Sequence, residues 1–167
     1  FTCAHLEGAD LREARLEGAD LNRAVLCQKK NGKSFVADLR KAFFDAETAF
    51  RYITLWDENG VGIRLADIHW SEVDLATIDW ASVKMLGEEY EAKQDAIVGK
   101  LSIKESKLTQ YQTATRANRQ LAAVLQNQGL NEEADRFAYR AQLLQRVVWR
   151  RQRRILKYTF SWLLYLI

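Results

Sequence analysis

Hydrophobic residues near the start of the chain recur every five residues, a spacing that fits neither a helix nor a strand. From Ala4 to Leu26, a Leu returns at each fifth position and an Ala lies two residues before it. A helix turns about 100° per residue, so this period would scatter the Leu side chains around its axis. A strand would send successive Leu side chains to opposite faces. The period fits a chain that turns a corner after each block, so that four blocks close one square coil with every Leu inside.

A helix rich in Ala, Leu, Glu and Arg is the alternative interpretation, because these residues have high helix propensity. The register holds without a slip over five blocks, which favours the coil. The period resumes after two interruptions, near 27–36 and near 56–62, and Phe50 and Leu55 fit it if one extra residue bulges out. The predicted axis residues are Leu6, Leu11, Leu16, Leu21, Leu26, Leu39, Phe44, Ile63, Ile68, Val73, Ile78 and Val83.

The segment "GADLREARLEGADLNRA" resembles the pentapeptide-repeat family, whose signature is A-(D/N)-L-x-x. The resemblance implies a right-handed quadrilateral β-helix over residues 1–87, with about three to four coils. Phe1 occupies the next axis position upstream of Leu6, and the chain has no initiator Met. We therefore expect the chain to begin inside a longer array.

Outside the axis, two Trp residues and three Asp residues take similar places in their blocks. Trp70 and Trp80 are ten residues apart, which is two corners, so they are expected on opposite sides of a coil, packed against a loop, the following helices or a partner. We expect Asp67, Asp74 and Asp79 to form Asx turns or to be solvated. No catalytic role is predicted for them.

After the coil, the hydrophobic period becomes helical. Residues 88–110 are charged and mixed and predict a partly helical connector, and 111–157 predict a helical hairpin. Gly129 suits the end of the first helix, and Asn131 suits the start of the second. The hairpin also resembles one tetratricopeptide unit, but one copy cannot form a solenoid, so a single packed hairpin is the preferred interpretation.

The end of the chain combines a basic run with an uncharged apolar one. Residues 158–167 carry no charge and are rich in Leu, Phe, Trp and Tyr. We interpret them as the start of a membrane span, since about twenty residues are needed to cross a bilayer. Tyr158 and Trp162 are predicted at the membrane interface. The predicted membrane-proximal basic residues are Arg146, Arg150, Arg151, Arg153, Arg154 and Lys157. An interfacial amphipathic helix, a buried helix and phosphate binding to nucleic acid are the alternatives.

The charge and the Cys and His content of the chain limit the classes of function it can have. The 167 residues carry a formal net charge of +3, but residues 1–87 have 11 Lys and Arg against 14 Asp and Glu, and residues 88–167 have 14 against 8. The two parts therefore face different surroundings. Cys3 and Cys27 have no paired spacing, and His5 and His69 have no partner cluster, so neither a disulfide, a metal site nor a cofactor is predicted. No nucleophile, base and orienting group can be assembled, so we predict no enzyme.

The whole pattern resembles bacterial pentapeptide-repeat membrane proteins in which repeat and hairpin lead into a potassium-channel-like pore module, here beyond Ile167. This implies a scaffold or recognition domain of a cell-membrane protein, with residues 1–157 cytoplasmic. Its expected partners are membrane lipid, an unknown protein and a second copy of the chain; nucleic acid is not expected. The alternative is a soluble DNA-mimicking pentapeptide protein that binds gyrase, for which a net charge of −3 over the repeats is a poor fit.

Overall fold

The structure is a computed structural model that describes residues 1–94 and 102–164, with side chains for 1–94 and 107–153. A β-helix-like region comes first, and three helices follow it. The helices are α1 (Gly87–Lys93), α2 (Ser102–Asn127) and α3 (Asn131–Leu164). Where the sequence predicts a connector, the structure places α1 and the beginning of α2.

Parallel β-bridges stack the blocks of the first region one coil above another. His5 pairs with Val25, 20 residues and therefore four blocks later. Asp10 pairs with Asp38, a separation eight residues longer. The extra residues belong to an inserted antiparallel hairpin of β1 (Cys27–Lys30) and β2 (Lys33–Val36). The five-residue period therefore sets the length of a coil, and the hairpin leaves the coil without disturbing its register.

Most pairing in this region is too short to count as a strand. Only β3 (Phe43–Phe44) and β4 (His69–Trp70) form a parallel pair of strands, and the other parallel contacts are isolated bridges. Over the described residues the sheets are two-stranded and do not close. Pentapeptide blocks leave two or three residues between corners, which is enough for a bridge but not for a long strand.

The corners explain why the period is five. Each is a turn in which the Ala N–H donates to the carbonyl of the axis Leu three residues earlier, as in Ala9 to Leu6 at 3.0 Å. The residue before the Ala has a positive φ, as type II turns require. In the first array these residues are Cys3, Gly8, Glu13, Gly18 and Arg23. Only two of them are Gly, so the other three hold a left-handed backbone at a steric cost.

The axis residues named from the period make up most of the core of the coil. Nine of them are buried, namely Leu16, Leu21, Leu26, Leu39, Phe44, Ile63, Val73, Ile78 and Val83. Leu6, Leu11 and Ile68 are partly buried and pack against this core. Phe50 and Leu55 are buried as well.

The last blocks of the array are less regular than their sequence suggests. Leu75–Thr77 and Trp80–Ser82 form 3-10 turns. The Asp74 carboxylate accepts the Ala76 N–H at 3.0 Å, and the Asp79 carboxylate accepts the Ser82 N–H at 3.3 Å. These local hydrogen bonds compete with the bridges of a regular coil and tighten the chain.

The hairpin of α2 and α3 turns at Gly129, which has a φ of +78°. The Leu130 N–H donates to the Leu125 carbonyl, and the Gly129 N–H donates to the Gln126 carbonyl, both at 3.0 Å. This is the Schellman arrangement, and it favours Gly at the left-handed position. The two helices of the hairpin then run back along each other.

Candidate functional site

The hairpin is joined to the coil by a shared hydrophobic core. The Phe137 ring on α3 meets the Trp80 ring near the end of the coil edge to face, with centroids 6.1 Å apart. Leu121 and Leu125 on α2 are buried in the same cluster. Trp70, on another part of the coil, stacks on Phe44 instead. The helices are therefore docked on one part of the coil and are not tethered to it loosely.

Two glutamines, one on α2 and one directly after its end, continue the hydrogen bonding of the coil. The Gln120 amide accepts the Asp67 N–H at 2.9 Å and donates to the Asp67 carboxylate at 3.0 Å. The Gln128 amide accepts the Leu75 N–H at 2.9 Å and donates to the Val73 carbonyl at 2.5 Å. Gln120 lies on α2, and Gln128 is the residue that follows its last helical residue, Asn127. They satisfy backbone groups that the coil leaves unpaired.

Arginines of α3 complete the docking. The Arg136 guanidinium donates to the carbonyl groups of Ala81 and Trp80. The Arg140 guanidinium holds both carboxylate oxygens of Glu89 at 2.8 and 2.9 Å. Glu89 is buried, so this charge-assisted pair fixes α1 against α3.

The opposite side of α3 is exposed and carries apolar and basic side chains. We define the α3 outer face as Tyr139, Leu143, Arg146, Trp149, Arg150 and Arg153. At 100° per residue these positions fall within an arc of about 120°. Tyr139, Leu143 and Trp149 are 60%, 41% and 57% exposed. Large apolar side chains on the surface beside basic ones are typical of an interaction surface.

The basic residues of α3 have different roles. Residues 136–164 contain eight Lys and Arg and no Asp or Glu. Arg136 and Arg140 contact the coil and α1, and the Arg151 guanidinium carbon lies 4.9 Å from the centre of the Tyr111 ring on α2. Arg146, Arg150 and Arg153 are exposed. Of the six basic residues predicted near a membrane, these three are therefore on the outer face, and Arg151 turns inward.

The remaining predicted membrane residues cannot be placed on a face. The side chains of Arg154, Lys157, Tyr158 and Trp162 lie outside the described residues. Within the described part of the chain, no helix combines the length and the apolar character needed to cross a membrane.

A polar cleft separates the coil from α2. Its volume is about 610 Å³. Two neighbouring coils each contribute one ion pair to it. Arg12 binds Asp10 at 2.6 Å, and Arg40 binds Asp38 at 2.5 Å. The hydrogen bond from Arg12 lowers the pKa of Asp10 to about 2. The cleft is lined by Asp10, Arg12, Glu13, Arg40, Lys41, Ala66, Asp67, Thr113 and Arg116.

A smaller pocket of about 280 Å³ shares Arg40 and Thr113 with this cleft. We call it the Glu88 pocket. The Glu88 Oε1 accepts the N–H groups of Leu65 and Ala66 at 2.6 Å each, so Glu88 binds α1 to the coil. Burial raises the pKa of Glu88 to about 7. The pocket is lined by Arg40, Glu88, Glu91, Thr109, Gln110 and Thr113.

The sequence gives no sign of the Glu88 pocket. "LGEEYEAK" is dominated by charge, and a charged run is expected to be solvated. Glu88 and Glu89 are both 3% exposed. Their partners, Leu65, Ala66 and Arg140, are more than twenty residues away in the chain, so no local pattern reveals the contacts.

Comparison with known proteins finds a similarity for the repeats at the start of the chain. The family model described as pentapeptide repeats (8 copies) matches residues 1–26. This part of the chain is therefore a pentapeptide-repeat segment. No curated protein and no solved structure gives a significant match to the chain.

Proposed function

We propose that this protein is a non-enzymatic scaffold that attaches to an anionic membrane through the α3 outer face. The observation that carries the proposal is the exposure of Trp149, Leu143 and Tyr139 beside three exposed arginines, on a helix without Asp or Glu after Asp135. An amphipathic helix of this kind inserts apolar side chains among lipid headgroups while its basic residues pair with anionic lipid.

The expected strength follows from the charges. A Lys or Arg close to an anionic leaflet contributes about 1 kcal/mol. Arg146, Arg150 and Arg153 together therefore contribute about 3 kcal/mol, which is about two orders of magnitude in the binding constant. Trp149 adds apolar area at the interface, where Trp is favoured.

The coil gives this surface a rigid support. We propose that residues 1–87 form the right-handed quadrilateral coil that the repeat resemblance implies, and the parallel bridge between His5 and Val25, four blocks apart, supports this. A rigid coil docked on α2 and α3 can present one face to a protein partner while the α3 outer face meets the membrane. We place residues 1–157 on the cytoplasmic side, where positive residues are favoured.

The titratable residues considered for catalysis have structural contacts. The His69 ring stacks on Phe43 at 4.3 Å, and His5 pairs with Glu7 at 3.0 Å. Cys27 donates to the Val61 carbonyl, and burial raises the pKa of its thiol to about 12. The Cys27 contact supports a non-enzymatic role, because a thiol with this pKa is a poor nucleophile at neutral pH.

The resemblance to membrane proteins extends the proposal. We propose that residues 158–167 continue the attachment into the bilayer and that a pore module follows Ile167. Translation of the encoded sequence beyond Ile167 tests this: two apolar segments flanking a Gly-rich one would support it, and an early stop codon would refute it.

Vesicle binding tests the membrane surface. The chain is mixed with phosphatidylcholine vesicles that contain either no phosphatidylglycerol or 30% of it, and the bound fraction is measured by sedimentation. We expect preference for the anionic vesicles and a loss of about 100-fold when Arg146, Arg150 and Arg153 are all replaced by Gln. The loss should shrink as salt is raised.

The matched control removes the same number of charges from the coil. Arg15, Arg23 and Arg51 are exposed there and are all replaced by Gln in the control variant. If both triple variants lose binding equally, net charge explains the attraction and the α3 outer face does not. Equal binding of the unchanged chain to both kinds of vesicle would also contradict the proposal.

A further inference from the structure

Two buried hydrogen-bond acceptors of the Glu88 pocket have no partner. The Oε2 of Glu88 and the Oε1 of Gln110 are both buried, and neither accepts a hydrogen bond from the described residues. Glu88 itself is 3% exposed. Buried acceptors in folded proteins are nearly always paired, because each one left unpaired costs about 1–3 kcal/mol. Two such atoms in one pocket indicate a site for a molecule that donates hydrogen bonds.

The carboxylate of Glu88 also makes no direct ion pair with a cation of the described residues. Arg40 is held by both carboxylate oxygens of Asp38, and Arg64 pairs with Glu91. Both guanidinium groups are thus engaged by other carboxylates, and Arg40 attracts Glu88 only without direct contact, so the Oε2 of Glu88 has no cation bound to it among the described residues. By contrast, the cations of the larger cleft all have acidic partners: Lys41 pairs with Glu13 at 2.8 Å, for example. Among the carboxylates that line the two cavities, Glu88 is therefore the one without a direct ion pair in the described part of the chain.

We infer that the Glu88 pocket binds a small molecule through a primary ammonium group, which donates to the Glu88 Oε2 and the Gln110 Oε1. An ammonium group supplies both a cation in direct contact with the carboxylate and several N–H donors. Mg²⁺ and Ca²⁺ fit less well, because they need six or more oxygen ligands. An anion would meet the unpaired carboxylate.

The surroundings leave room for the rest of such a molecule. The pocket shares Arg40 and Thr113 with the larger cleft, so a chain bound at Glu88 can extend beneath α2. Sites for small molecules usually measure about 300–1,000 Å³. The cleft is polar on both sides, which suits a short amine with polar substituents.

Butylammonium is the probe, and its binding to the full chain is followed by NMR titration in phosphate buffer. Butanol is the control without charge, and butyltrimethylammonium is the control with charge but no N–H donor. We expect millimolar binding of butylammonium, and binding at least tenfold weaker for either control. Shifts should concentrate on the backbone amides of residues 65, 66, 88 and 110.

Two variants and the pH dependence separate this site from general attraction. Glu88→Gln and Gln110→Ala should each weaken binding at least tenfold, whereas Glu47→Gln, at an exposed position, should leave it unchanged. Because the pKa of Glu88 is about 7, binding should be about tenfold weaker at pH 6 than at pH 8. The charged groups around Glu88 are Asp38, Arg40 and Arg64 of the coil, Glu91 of α1 and Lys107 of α2.

Several outcomes would overturn the inference. Equal binding of butanol and butylammonium would show an apolar or non-specific site, and no shift at 50 mM butylammonium would show that water satisfies the two acceptors. Binding that survives Gln110→Ala and does not change between pH 6 and 8 would place the ammonium elsewhere. If Glu88→Gln does not fold, Gln110→Ala still tests the binding site, because it keeps Glu88 and its two backbone contacts.

Discussion

Replacing Glu88 with Gln should make the protein more stable at neutral pH and leave it unchanged in acid. The Gln amide oxygen can accept the N–H groups of Leu65 and Ala66 as Oε1 does now, and its NH₂ group replaces the unpaired Oε2. Burial raises the pKa of Glu88 from 4.5 to about 7, so the folded chain binds a proton more tightly than the unfolded chain does. Unfolding free energy therefore falls as pH rises from about 4.5 to about 7 and is level above that. This difference in pKa between the folded and the unfolded chain corresponds to about 3 kcal/mol.

The measurement is urea unfolding of both proteins at pH 4.5, 6, 7 and 8, in acetate and phosphate buffers that contain no primary amine. Other carboxylates titrate equally in both, so only the difference between the two proteins is used. It should be near zero at pH 4.5 and about 3 kcal/mol in favour of the variant at pH 8. Glu47→Gln, at an exposed position, should follow the unchanged chain at every pH. A difference that stays constant across this range would refute the desolvation of Glu88.

Three further predictions concern packing and backbone. Phe137→Ala should lower the free energy of unfolding by about 3–5 kcal/mol, and exposed Tyr139→Ala by less than about 1, in urea denaturation; similar losses would contradict the shared core. Gly87→Ala should cost about 1–3 kcal/mol, since the new Cβ would lie 2.9 Å from the Arg64 side chain; a neutral effect in thermal unfolding would mean that α1 shifts freely. Arg23→Gly should raise stability by about 0.5 kcal/mol by relieving a φ of +58°, and destabilisation in the same assay would contradict the turn geometry.

The positive φ values show how tightly the repeat constrains the chain. In the first array they recur every five residues, yet Glu13 and Arg23 occupy two of these positions with side chains that disfavour such a backbone. The N–H of each donates to a carbonyl in a neighbouring coil, Glu13 to Arg40 at 3.0 Å and Arg23 to Arg51 at 2.9 Å. Stacking of coils therefore supports a local conformation that these residues would not adopt alone.

Much of the coil can be predicted from the sequence because its order is local. A Leu every five residues, with Ala two positions before it, defines both the corner and the buried axis, and the 20-residue separation of His5 and Val25 in the structure equals four blocks. The hairpin turn at Gly129 is local in the same sense, since its hydrogen bonds connect residues three to five apart. Patterns of this kind need no knowledge of distant neighbours.

Only the tertiary structure decides which charged residues are buried and which are available. Glu88 and Glu89 appear in a run that reads as solvated, but contacts with residues 22 to 51 positions away bury both. Arg140 and Arg151 belong to the same basic series as Arg146, yet they face inward because α1 and α2 pack against that side of α3. The sequence determines the charge of a residue, whereas the solvation of that residue depends on the elements that pack against it. For this reason the coil can be predicted from the sequence, whereas the Glu88 pocket and the α3 outer face cannot.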